Sequence, residues 1–130
     1  MDFTRRIELD SPYDEAIARV TGALKDQGFG VLTEIDVRRT FKDKLDIDVE
    51  PEIILGACNP QLARRALEID PRIAALLPCN VVVRTEQGRT IVEALDPKIL
   101  AEVPGNPALV PIAEEAGQRI QAALDALGTV

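Results

Sequence analysis

Apolar positions along the chain change their spacing repeatedly, and each change marks an element. Residues 3–9 alternate, with Phe3, Ile7 and Leu9 on one side, the two-residue period of a strand. Tyr13, Ile17, Val20 and Leu24 then fall four, three and four apart, one stripe of an amphipathic helix over 12–27, and Gly28 supplies a left-handed end. A second strand runs from Phe29 to Val37. Phe29, Val31, Thr33, Ile35 and Val37 are expected on one face, and Gly30, Leu32, Glu34 and Asp36 on the other. Residues 38–46 read as a short helix with Phe41 and Leu45 inward. Residues 52–58 form an apolar strand, and 60–69 a helix with Leu62, Ala66 and Ile69 inward. A shorter helical piece covers 71–77. Residues 80–86 and 89–95 flank Gln87-Gly88 as a hairpin. Residues 101–111 read as a loop, and a helix closes the chain at about 111–127.

Five polar-proline pairs punctuate this pattern: Ser11-Pro12, Asn59-Pro60, Asp70-Pro71, Asp96-Pro97 and Asn106-Pro107. A short polar side chain accepts from the free amides of a helix start, and proline in the first turn sacrifices no needed donor. Each pair is therefore a candidate helix start. The resulting order predicts one domain over 1–130, of α+β class. Its sheet is mostly antiparallel and five-stranded, with helices packed on one face. The other face is left for solvent, a ligand or a second copy.

Composition narrows the chemistry. The 130 residues carry a net charge of -7 and only 3% aromatics, a surface that repels phosphate backbones and offers no stacking platform. Nucleic acid is therefore not an expected partner. No apolar run approaches the ~18 residues of a membrane span, and the charged start has no apolar signal core. The expectation is a cytoplasmic protein with reduced thiols and no membrane partner. The chain has no histidine, which removes the commonest general base and the commonest metal ligand.

What chemistry remains centres on the two cysteines. Cys58 precedes Asn59-Pro60, and Cys79 precedes Asn80. The chain between them goes out along one helix and returns along a second piece, which brings both cysteines to one edge of the sheet. A thiol beside a helix start can gain thiolate character. Cys58 and Cys79 are thus candidates for redox, carrier or soft-metal chemistry. As plain residues they are small core hydrophobes. Two thiols do not complete a zinc site, whereas copper(I) suits soft thiolates. Glu34 and Asp36 share a strand face and are candidates for binding a cation or for acid–base work. The plainer reading is a solvated polar face. Arg38, Arg39, Lys42 and Lys44 form the strongest basic patch, with Asp43, Asp46 and Asp48 beside it.

Four stretches in order resemble one family: Gly28–Val37 (GFGVLTEIDV), Ile54–Pro60 (ILGACNP), Leu76–Val83 (LLPCNVVV) and Ala94–Pro97 (ALDP). The family is catalogued as domain of unknown function 302, and the resemblance covers roughly residues 10–100. It implies a TBP-like α+β fold and a tendency to homodimerise, and it implies no activity; any cofactor is left unknown. Its pattern coincides with Glu34, Asp36, Cys58, Asn59, Cys79, Asn80 and Asp96. Two functional readings follow. One is a homodimeric binding module in which Cys58 and Cys79 hold a small ligand or soft metal, or do redox work. Asn59 and Asn80 would donate hydrogen bonds there, and Glu34 and Asp36 would line the same mouth. The other is a structural or partner-binding homodimer whose cysteines only pack. Whether the chain is an enzyme is left open, with a carboxylate enzyme built on Glu34 and Asp36 as the weaker possibility.

Overall fold

The computed structural model describes residues 2–128. Five strands form one sheet: β1 (Thr4–Leu9), β2 (Gly30–Asp36), β3 (Glu52–Cys58), β4 (Cys79–Glu86) and β5 (Arg89–Leu95). Their spatial order is β1-β5-β4-β3-β2, and every neighbouring pair is antiparallel. The helices are α1 (Tyr13–Asp26), α2 (Val37–Leu45), α3 (Pro60–Ile69), α4 (Ile99–Glu102) and α5 (Val110–Leu127), with 3-10 turns at Pro71–Leu76 and Pro107–Leu109. The α+β class and the antiparallel five-stranded sheet are as the spacing predicts.

The first two strands end on opposite edges because α1 crosses between them. Its buried stripe, Ala16, Val20 and Leu24, packs with Ile120, Ala123 and Leu124 of α5. Both helices lie against Leu55, Val81, Val83, Val92 and Ala94, which register places on one face of the central strands. A second cluster joins Leu62, Ala66, Ile73, Leu100, Leu109 and Ile112 around α3 and the start of α5. Burying a large aliphatic side chain contributes roughly 1.5–3 kcal/mol, so this one-sided burial holds the fold together.

Local chemistry sets the ends of the elements. Asn59, Asp70, Asp96 and Asn106 accept from the amides of Leu62, Arg72, Lys98 and Ala108 at 3.2, 3.0, 3.0 and 3.0 Å. Four of the five polar-proline pairs therefore cap helical turns through their side chains. Ser11 does not. Its hydroxyl takes the Arg19 guanidinium, and its carbonyl accepts from Thr90 Oγ1 at 2.6 Å. At the hairpin, Gln87 and Gly88 both have positive φ (52° and 77°), the twist that a tight two-residue turn needs.

Three expectations are corrected. The register of β2 shifts between Val31 and Thr33, so Leu32 is a bulge. Before it Val31 faces the helices with Ala57. After it Glu34 and Asp36 align with Leu55 and Ile53, while Thr33 and Ile35 turn to the opposite face. Val31 and Ile35, expected on one face, are therefore on different faces. Second, α2 has no buried residue. Phe41 and Leu45 are 39% and 60% exposed, because α2 sits at the sheet margin where no other element covers it. Third, Ile69 ends α3 exposed, one turn past the cover that Ala66 enjoys. The expected loop at 101–111 also contains the end of α4 and the second 3-10 turn.

Gly56 is buried between Thr33 and Asn80 in register. A Cβ there would crowd Thr33 Oγ1 and approach Pro78 Cγ to 2.9 Å. Gly56→Ala is expected to lower stability by about 1–3 kcal/mol, read as a lower urea midpoint with an unchanged slope. A midpoint equal to wild type would show that the strand has room for the methyl.

Candidate functional site

The two cysteines meet at one end of the sheet. Cys79 opens β4 and pairs in register with Ala57, the residue before Cys58. Both border a small apolar cavity of about 30 Å³ under α3 and α5, with Phe29, Leu62 and Ala116 among its walls. That space admits a guest of water size, not a coenzyme. Strand alternation separates the two side chains, however. Cys79 shares the helix-side face with Ala57, and Cys58 is set on the reverse face. Cys79 is buried and Cys58 is half-buried, and both are free thiols.

Their environment disfavours the thiolate. Burial pushes the Cys79 thiol up to about 11, with negative charge at Cys58 adding to the shift. Burial also raises Cys58, so the adjacent helix start gives it no net thiolate character. Asn59, buried, spends its side-chain oxygen on the Leu62 amide. Its amide nitrogen lies where a Cβ on Gly28 would come to 3.0 Å, and Gly28 holds φ at +84°. Asn80 is exposed on the bare face of the sheet, opposite Gly56.

Glu34 and Asp36 do not join the cysteines. They align with Leu55 and Ile53, three and five residues from Cys58, or roughly 10 and 17 Å along the strand. Both are exposed, and Asp36 caps α2 by accepting from the Arg39 amide at 3.0 Å. Nearby, burial first and then the charges of Asp36, Asp14 and Glu52 push the Tyr13 hydroxyl up to about 12. No group of three or more His, Cys, Asp or Glu side chains is placed to hold a metal among the described residues. No helix among them is long and apolar enough to cross a membrane.

Sequence reasoning missed Arg5. Its guanidinium reaches from β1 to Asp96, with Nε 3.3 Å from Oδ2, and to the Gly117 carbonyl on α5 at 3.0 Å. An arginine on the helix-side face of an edge strand is the signal that was available. Burial alone would raise the Asp96 carboxyl, but the Lys98 amide and the Arg5 guanidinium outweigh it, so Asp96 sits below the ordinary carboxylate range.

The bare face carries three rows across the strands. Thr33, Gly56, Asn80, Leu95 and Thr4 make one, and Ile35, Ile54, Val82, Glu93 and Arg6 make the next. Glu52, Arg84, Ile91 and Glu8 make the third. Charges on this face pair with one another. Arg84 Nη1 lies 2.8 Å from Glu93 Oε1, Arg6 Nη2 lies 2.9 Å from Glu86 Oε2, and Thr4 Oγ1 donates to Glu93 Oε2 at 2.6 Å. The middle row leaves Ile35, Ile54 and Val82 as an unbroken apolar line.

Two predictions follow from this geometry. In the folded protein Cys79 should resist maleimide until unfolding, since its thiolate fraction is on the order of 10⁻⁴ at pH 7. Cys58 should react slowly, at a rate that climbs through the alkaline range. Peptide mapping by mass spectrometry reads both, and rapid labelling of Cys79 at neutral pH would contradict its burial. For Asp96, a carboxyl held low in the fold stabilises above its unfolded pKa, and that contribution is lost as pH falls through the folded value. Asp96→Asn should therefore cost about 1–3 kcal/mol at neutral pH and progressively less in acid. A pH-independent cost in urea melts would rule out the charge as its source.

A family model described as "Domain of unknown function DUF302" matches residues 5–127. The crystal structure of an uncharacterized conserved protein DUF302 from Bacillus stearothermophilus is similar at 34% identity. It covers 98% of this chain and 99% of that one, with a TM-score of 0.91. No curated protein matches the chain. With four motifs in order, the same sheet and a family match spanning nearly every residue, the chain belongs to the DUF302 family.

Proposed function

We propose that this protein is a homodimeric binding module that self-associates through the bare face of its sheet. The observation that carries this reading is the line Ile35, Ile54 and Val82, in register across three neighbouring strands, with Ile35 half exposed to solvent. A sheet face that stays in water alternates polar residues outward, and a contiguous apolar line on such a face marks a contact surface. About a two-fold axis the line meets its own copy. The Arg84–Glu93 and Arg6–Glu86 pairs then form a polar rim that contributes register more than energy. In this reading Cys79 is a packing residue.

The second reading keeps the cysteines as a site for a small guest, a soft metal ion or thiol-redox chemistry. What supports it is the cavity that Cys58 and Cys79 both border. The unbridged thiols fit a reducing, cytoplasmic setting under either reading.

Sedimentation across a concentration series separates them. The wild type is expected at twice its 14.2 kDa chain mass. Ile35→Glu should sediment as a monomer with an unchanged far-UV spectrum, since the substituted side chain is already half in water. A wild type that stays at one chain mass at every concentration would remove the dimer. The thiol reading then requires that Cys58→Ser and Cys79→Ser each abolish cuprous ion retention in a folded protein.

A further inference from the structure

Exposed apolar surface is concentrated in one part of this molecule. Nine large apolar side chains are exposed among the described residues, and five of them, Leu32, Ile35, Phe41, Leu45 and Ile47, fall within residues 32–47. That stretch is the edge strand β2, then α2, then the start of the return to β3. Exposed apolar residues scattered singly need no explanation, whereas a cluster marks a contact surface.

Within it, α2 has two unlike sides. Val37, Phe41 and Leu45 are four residues apart and share one side of the helix. At 3.6 residues per turn, Lys44 and Arg38 flank that stripe on its two borders, and neither makes an ion pair among the described residues. Arg39 and Lys42 point away from it. They pair with Asp43 at 3.8 Å and with Asp46 and Asp48 at 2.9 and 3.6 Å. Local terms of this kind do not hold such a helix. Its nine residues fall below the roughly 12–15 that an isolated helix needs in water, and exposed ion pairs contribute little. Most protein helices are stabilised by packing an apolar side, and α2 buries nothing against its own chain.

The occupant that fits this stripe is a second copy. No loop separates β2 from α2, so the stripe begins two residues past Ile35, the most exposed member of the line Ile35, Ile54 and Val82. Ile54 and Val82 are already half-buried, and a stable dimer covers about 800 Å² on each partner, more than that line alone has to offer. Charge points the same way. With 22 acidic side chains against 15 basic ones, a second copy presents Arg38 and Lys44 with a surplus of carboxylates, and the same net charge of -7 opposes docking on an anionic membrane.

We propose that α2 is a clasp, packing its Phe41 and Leu45 stripe on the second copy and, with Leu32 and Ile47, supplying the larger apolar part of the dimer interface. The inference rests on the homodimer reading and names the element that holds the copies together.

Sedimentation of the whole chain across a concentration series tests it. A chain carrying both Phe41→Gln and Leu45→Gln should dissociate at a concentration at least about thirtyfold higher than wild type. Its urea midpoint when dilute should not move, because neither side chain is covered by its own chain. Phe41→Trp provides a readout that does not depend on the double variant folding, since the sequence has no tryptophan. Its emission should shift to the blue over the same concentrations at which the mass doubles. A dimer lost with Ile35→Glu but undisturbed by the glutamine pair, or tryptophan emission that stays constant as the mass doubles, would overturn the clasp and leave the homodimer standing. A wild type at one chain mass throughout would remove both. Co-sedimentation of the wild type with phosphatidylserine vesicles, lost in the double variant, would assign the stripe to a membrane and also overturn the proposal.

Discussion

The structure depends on burying one face of the sheet and leaving the other bare. Leu55, Val81, Val83, Val92 and Ala94 form a continuous apolar surface only because their strands hold register. A one-residue slip would rotate that whole set into water. The α1 and α5 helices cover it with Val20, Leu24, Ile120 and Leu124. Since α1 joins two strands at opposite edges, the crossover itself lays the helix over the sheet. Everything outside that contact is then placed by consequence. The cysteines end at the sheet margin and the charged rows face outward.

Much of this was legible because the cues are local and redundant. Strands β3, β4 and β5 announce themselves by dense β-branched runs, and the turn between the last two by Gln87-Gly88. The helix starts were legible for a different reason. Asn59, Asp70, Asp96 and Asn106 each precede a proline, and each bonds a nearby amide. Ser11 shows the limit of that grammar, since its hydroxyl is taken by Arg19, a partner that folding brings close.

What could not be read were the features decided across the sheet. The bulge at Leu32 has Gly30 before it and Gly56 across from Thr33, but glycines in a strand do not fix which residue is the extra one, and the bulge reverses the face of every later residue in β2. For that reason Ile35 joins the bare face, while Glu34 and Asp36 miss the cysteines because they pair with Leu55 and Ile53, further along the strand. The exposure of Phe41 and Leu45 was equally hidden. Their spacing is that of a buried stripe, but periodicity says only that a helix has an apolar side, not that anything covers it. The cysteines show both outcomes together. Their convergence on one sheet end follows from element order, while their separation onto two faces follows from the pairing of Cys79 with Ala57.

Arg5 makes the same point from the opposite direction. In sequence it is one of two adjacent arginines in a short strand, with nothing to distinguish it from Arg6. Strand alternation sends Arg6 to the bare face, where it pairs with Glu86, and sends Arg5 under the helices. A charge on that side is tolerated only with partners, and Asp96, the Gly117 carbonyl and Gln121 supply them. The glycine in α5 and the aspartate after β5 are thus explained by an arginine on an edge strand. Three distant positions are tied into one arrangement that stabilises the fold less cheaply than an apolar residue would. An isolated ion pair of this kind is poor evidence of a stabilising role. Its effect is positional: it fixes β1, the turn after β5 and the middle of α5 relative to one another.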